Sequence, residues 1–489
     1  MRAAIAAAAA FAALTFVTPA LPGQTPPQTA APAPAWSVQP WLEDLAVAER
    51  ALRTKYANLE WLLTERGVDL DGLFVRARTA LAGARSDADA AAVLNRLVQR
   101  ISDGHVDISW PRPAAPPLAG APPAPPPSRE SFCRARGYGP AAPGFAPALS
   151  GFTPIESGDV FHAGTFAVGG TRVGIVRIGV FQPQGSLAVC TEAVAALAIP
   201  LDRPCDEACE DRLLTRAYRG LTAALDDRLK RLRAAGAEIL LVDITGNGGG
   251  SEWAEAAARM LSRRPLVSAR LGFVRGEHWA GTWARLRDRL RGFAETASPA
   301  DRDRLLGWAL EAEAARAEAA RSCPPTGGAC PWLGRAGYAT GLVAGVPAGH
   351  FDGKDWAPWV FSPAQYPYRD GAWDGPVVLL VDQETWSAAE QFAAILQDNR
   401  VALVVGARTG GSGCGHTWGG TPTRLPHSGA TLRLPDCARF RADGSNEVRG
   451  VIPDLLLAWR ANDGAAFRAR MLEAALPQAI ARARALHRP

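Results

Sequence analysis

The stretch VDQETWSAAEQF, residues 381–392, sets a serine where an apolar strand gives way to a helix. Ser387 with Glu390 three residues on reads as a capping box, in which the hydroxyl and the carboxylate each take an amide hydrogen bond at the helix start. A nucleophile gains from the same place, because free helix amides and a partial positive charge stabilise an oxyanion formed beside it. Both readings fit this stretch. DITGNGGGSEW, residues 243–253, is a second turn from strand to helix. It lacks the Lys-Ser/Thr ending of a P-loop and is not G-x-G-x-x-G. Its consecutive glycines let backbone amides come close to a substrate, so an amide here is a candidate oxyanion donor. His105 in ISDGHVDIS is one of seven histidines, and alone it reads as structural or merely exposed. Glu447 in GSNEVRGVIPDLLL precedes a Gly-Val-Ile-Pro-Asp turn, and alone it reads as a surface glutamate.

Together and in this order, these pieces resemble the serine peptidase family that includes the C-terminal-processing proteases and the tricorn-core peptidases. The family's D-x-R-x-N-x-G-G turn is similar to DITGNGGG, its T-x-S-x-x-E to TWSAAE, its V-G-x-x-T-x-G to VGARTGG and its G-V-x-P-D to GVIPD. The resemblance covers residues 41 to 457 or so. It implies an α/β fold with a crotonase-like ββα core, and Ser387 as nucleophile. The processing-protease branch takes its base from the lysine of T-F-G-K-G, where this chain has Ser412. The tricorn-like branch uses the histidine of D-G-H, which His105 matches, and completes the relay with a glutamate that Glu447 resembles. The chemistry is coherent: an imidazole with an ordinary pKa of about 6.5 accepts a serine proton near neutral pH. A carboxylate then fixes its tautomer and stabilises the imidazolium. Some relatives read N-P-G-G at the glycine turn, and proline has no N–H. Gly249, not Gly248, is therefore the expected oxyanion donor, with the Ala388 amide as the second. Thr245 stands where the motif has arginine, and His416 is a rival base close to the missing lysine.

The resemblance thus implies an exported serine endopeptidase acting through a Ser-His-Glu relay and an acyl-enzyme, with a peptide or protein substrate and no metal or organic cofactor. Two alternatives stand beside it. One is a non-catalytic carrier of hydrophobic ligands on the same fold. The other is an esterase or amidase for non-peptide substrates.

The elements that must position these residues are legible as patterns. Residues 41–104 carry apolar positions at helical spacing and read as an N-terminal helical domain. DGHVDISW is a turn entering a strand, and residues 105–160 then include a proline-rich loop. Within residues 161–460, the expected peptidase core, EILLVDI, GPVVLLVD and VALVVG are continuous apolar runs of the kind buried on both faces of a sheet. Helical patterns alternate with them, which implies an α/β core. Residues 279–322 read as a helical insertion and residues 461–489 as a C-terminal helix.

Bulk properties narrow the class. The chain has 489 residues, 48% of them hydrophobic and 21% charged, with a formal charge of +5. No basic run with interleaved aromatics is present, so nucleic acid is not an expected partner. Residues 1–22 read as a signal peptide and 23–40 as a Pro/Ala-rich linker. The mature protein is expected outside the cytoplasm, in the periplasm or extracellular space, with no membrane span; homo-oligomerisation is left open. Eight cysteines in an exported chain favour disulfides. The expected pairs are Cys205 with Cys209, Cys323 with Cys330, Cys414 with Cys437, and Cys133 with Cys190. Zinc is the lesser alternative for CDEAC.

Overall fold

The computed structural model describes residues 36–111, 127–140, 142–155, 160–321, 332–460 and 462–488. The expected signal peptide, residues 23–35 of the linker, most of the proline-rich loop, and Cys323 and Cys330 lie outside them. Residues 38–489 form one unit. Among the described residues thirteen strands, numbered in chain order, make three sheets.

The main sheet has seven strands in the order β13-β9-β8-β5-β4-β3-β2. They are β2 (Thr153–Pro154), β3 (Ala163–Val168), β4 (Thr171–Arg177), β5 (Ile239–Asp243), β8 (Val377–Val381), β9 (Ala402–Gly406) and β13 (Leu455–Leu456). From β4 to β13 the neighbours run parallel. Every residue of β5, β8 and β9 is buried, which is why their sequences are unbroken apolar runs. The two-residue period still sorts them. Leu240, Val242, Leu379 and Val381 pack with Leu225, Leu229, Trp253 and Phe392 of the helices Glu207–Ala234, Trp253–Arg259 and Ala388–Asp398. Leu241, Val378, Leu380 and Val405 face the other way, onto Leu472, Leu476 and Ile480 of the helix Ala465–His487. The α/β expectation holds.

Four helices, Gln39–Lys55, Leu59–Thr64, Leu70–Ala82 and Asp87–Gln99, lead to His105. Their apolar faces close over Leu425, Leu432 and Val448 from the far end of the chain. Beside them β1 (Asp107–Ser109), β11 (Thr431–Arg433) and β10 (Thr423–Arg424) form a small sheet in that order. A third sheet, β12 (Cys437–Phe440), β6 (Arg270–Val274) and β7 (Leu333–Tyr338), carries the insertion. Residues 279–322, read as one helical segment, contain two helices, Glu277–Thr296 and Pro299–Ala319. Ser298 caps the second helix by accepting from Asp301 N at 3.3 Å, and Pro299 opens it.

Disulfides join Cys133 to Cys190, Cys205 to Cys209 and Cys414 to Cys437, as expected. Cys205 and Cys209 are therefore not zinc ligands here. Among the described residues no helix is long and apolar enough to cross a membrane.

Candidate active site

The site is assembled where β5 and β8 end side by side. Beyond β8, Asp382 accepts from the Gly246 amide at 2.8 Å and Trp386 N donates to Asn247 O at 2.9 Å. The two strand-to-helix turns are thus laced together. The glycine turn has a second support. Thr245 donates from its backbone and its hydroxyl to Asp243 Oδ1, at 2.9 and 2.7 Å, and Arg177 of β4 meets Asp243 Oδ2 at 3.1 Å. Arg177, unnoticed in the sequence, puts a guanidinium beside this turn, whose motif arginine is Thr245.

Ser387 starts the helix Ala388–Asp398 with φ 57° and ψ −118°. A non-glycine residue there stores about 1–3 kcal/mol of strain, so its surroundings must hold it. They do so from both backbone sides. Ser387 N donates to Glu390 Oε2 at 3.1 Å, the capping contact expected from the sequence. Ser387 O accepts from Arg439 Nη2 at 3.1 Å. The hydroxyl meets a different partner, His105 Nε2, at 3.0 Å.

His105 follows a turn fixed by buried Asp103, which accepts from Tyr56 Oη at 2.8 Å, Asn58 Nδ2 at 2.9 Å and His105 N at 3.0 Å. Its Nδ1 lies 2.7 Å from Ser412 O. A carbonyl only accepts, so Nδ1 carries the proton and Nε2 is left with a lone pair toward Ser387. Burial lowers the imidazole pKa below its ordinary value and Arg439 lowers it further, against the Ser412 carbonyl and Glu447, which raise it. The ring is accordingly a neutral base at neutral pH. Gly415 lies flat against it: a Cβ there would stand 3.0–3.2 Å from three ring atoms. The disulfide at Cys414 ties that wall to β12. His416 stands beside His105, ring centroids 5.9 Å apart, and its Nδ1 faces Leu434 O at 3.2 Å. His105, not His416, is on the serine.

Two expected contacts differ. Glu447 is expected to orient His105; its carboxylate instead pairs with Arg439, Oε2 to Nε at 2.9 Å and Oε1 to Nη2 at 2.5 Å. Both residues are buried, and a buried carboxylate is drawn to the nearest cation. The Ser412 carbonyl holds the imidazole in its place. Gly249 is expected to donate to an oxyanion; its N–H is already given to Asn247 Oδ1 at 2.8 Å. Asn247 folds back on its own turn, a side-chain competition that local sequence does not reveal. Gly249 matters sterically instead. With φ 107°, a Cβ would lie 2.8 Å from Ser387 Cβ and 3.0 Å from Ala388 N. The amides of Gly248 and Ala388 have no acceptor among the described residues.

Glu390 binds these parts into one block. Its Oε1 accepts from Thr409 Oγ1 at 2.6 Å and Gly411 N at 2.7 Å, and its Oε2 accepts from Ser412 N at 2.7 Å as well as from Ser387 N. Burial pushes its pKa up to about 7, and Glu447 adds to the rise. Among the described residues no cluster of three or more His, Cys, Asp or Glu side chains is arranged to hold a metal ion.

The model of Peptidase family S41 matches residues 214–457, which include Ser387 and Glu447. Among solved structures the chain is similar to mature CPAF, at 15% identity and a TM-score of 0.54, over 91% of this chain and 98% of that one. It is similar to CPAF complexed with lactacystin at 16% identity and a TM-score of 0.54, over 91% and 99%. Likeness to the photosystem II D1 C-terminal processing protease is weaker, at 13% identity and a TM-score of 0.34, over 86% and 92%. At such identities the CPAF structures speak for the fold alone. A search of curated proteins returns no match. With Ser387 inside the matched segment and His105 of the preceding part of the chain on its hydroxyl, the chain belongs to Peptidase family S41 and is a serine-type peptidase.

Proposed function

We propose that the protein is an exported serine endopeptidase working through an acyl-enzyme on Ser387, with His105 as its general base. The observation that carries this reading is the 3.0 Å contact from Ser387 Oγ to His105 Nε2, with Nδ1 locked on Ser412 O. As Oγ bonds to the peptide carbonyl carbon, its proton passes to Nε2. The oxyanion is met by the free amide of Ala388, beside the glycine turn that Gly249 packs against Ser387. Collapse breaks the C–N bond, and Nε2 returns the proton to the leaving amine. Water, deprotonated by the same nitrogen, then releases the acyl group and restores Oγ–H.

Glu447 serves this chemistry at one remove. It neutralises Arg439, and Arg439 holds the carbonyls of Ser387 and Gly413 at 3.1 and 2.9 Å. Glu447, Arg439, Glu390 and Ser412 are thus positioning residues. Three disulfides support an oxidising compartment, in keeping with export. A carrier has no use for the stored strain at Ser387, which counts against the non-catalytic alternative.

The test is a fluorophosphonate probe on the purified protein, followed by mass mapping. Labelling confined to Ser387, abolished in Ser387→Ala and strongly slowed in His105→Ala, is expected. Labelling that survives in Ser387→Ala rules out the nucleophile, and an unlabelled folded protein rules out the peptidase mechanism.

A further inference from the structure

Trp386, the residue before the nucleophile, is 41% exposed. Its ring is nevertheless fixed. Nε1–H donates to Gln383 O at 2.7 Å, and the backbone N is tied to Asn247 O at 2.9 Å. The pyrrole edge lies so close over Gly410 that a Cβ there would overlap it. The opposite, benzo edge reaches Gly104, with Cε3 3.8 Å from where a Cβ of that residue would stand. The indole therefore spans from the turn at Gly410 to the residue that precedes His105. An exposed aromatic surface held in one orientation has already lost its rotamer entropy, which makes it a ready apolar contact.

Its place indicates which part of a substrate it meets. His105 must hand its proton to the leaving nitrogen, so the leaving-group side of the scissile bond lies on the His105 side of Ser387. The indole reaches that side through Gly104. We propose that Trp386 is a specificity-determining platform for the residue immediately after the scissile bond, and that it favours a large apolar or aromatic side chain there. The proposal rests on Ser387 and His105 being the working pair, and the test keeps the two apart.

The measurement is kcat/KM on quenched peptides that differ only in the residue after the mapped cleavage point: Ala, Leu, Phe or Lys. The wild type is expected to prefer Phe and Leu over Ala by about tenfold or more, the scale at which a hydrophobic pocket discriminates. In Trp386→Ala the ratio should fall toward one, whatever the total rate, and Trp386→Phe should keep most of it. Because the readout is a ratio within each variant, partial loss of folded protein cancels. A wild-type ratio near one, a preference for Lys, or a ratio that survives in Trp386→Ala overturns the proposal. Failure of the catalytic reading would look different: no fluorophosphonate labelling and no cleavage of any peptide.

Discussion

The imidazole of His105 is desolvated on the enzyme side but must stay neutral to work, and its environment arranges this. Burial is the largest influence on its pKa and acts downward, with the Arg439 guanidinium adding to it. The acid limb of kcat/KM is therefore expected to have its midpoint below 6.5, the ordinary histidine value, because protonated imidazole cannot accept the serine proton. The sign for stability is the same. With the folded pKa depressed, the contribution from the neutral ring is present above the unfolded value and is lost as pH falls through the folded one. A pH–rate profile on a fast-cleaved peptide checks this, and an acid midpoint above 6.5 would be incompatible with the burial observed. The same residue illustrates what is legible in sequence. D-G-H marked His105 only by likeness to a motif; the contact with Ser387 spans 282 positions, and no local pattern encodes it.

At the scale of elements, the link that the sequence hides most completely runs from β12 to the nucleophile turn. CARF is a four-residue strand, all buried, and its arginine has no signal to separate it from an ordinary strand residue. Arg439 nonetheless reaches Glu447, Gln391 Oε1 at 3.1 Å, Gly413 O and Ser387 O. The continuous apolar runs of β5, β8 and β9 were readable because burial on both faces leaves a local trace. A buried ion pair leaves none. If Glu447 acts through Arg439, removing either should break the same support. Leaving one buried charge unpaired costs about 3–5 kcal/mol, so each single variant is expected to be destabilised on that order. In a double-mutant cycle of Arg439→Met and Glu447→Leu, the loss in kcat for the pair should be no larger than for Arg439→Met alone. Fully additive losses in kcat would instead assign Glu447 a separate action on His105.

At the scale of the whole molecule, the base and the nucleophile come from opposite ends of the chain, so the site exists only while both ends stay joined. The join is made of three kinds of contact. Leu45, Phe74 and Leu94 share one apolar cluster with Leu425, Leu432 and Val448. Ala57 N donates to Pro435 O at 2.8 Å, and Asn446 Nδ2 donates to Asn58 Oδ1 at 2.9 Å, next to the Asp103 network that holds the His105 turn. Buried Asp44, in the first helix, takes the amides of His427 and Ser428 at 2.8 and 2.9 Å. With this much shared core, the four N-terminal helices should not melt ahead of the sheet. On heating, helix content followed by circular dichroism and the capacity for fluorophosphonate labelling are expected to disappear in one coincident transition. Asp44→Ala offers the sharper test, because it touches no part of the catalytic group. It leaves two part-buried amides without their carboxylate acceptor, at about 1 kcal/mol each. That cost should shift the whole transition downward while both probes remain superimposed. Were labelling to vanish first, with most helix signal intact, the N-terminal helices would be an independently unfolding cap, and the site would depend on their docking and not on the stability of the complete fold.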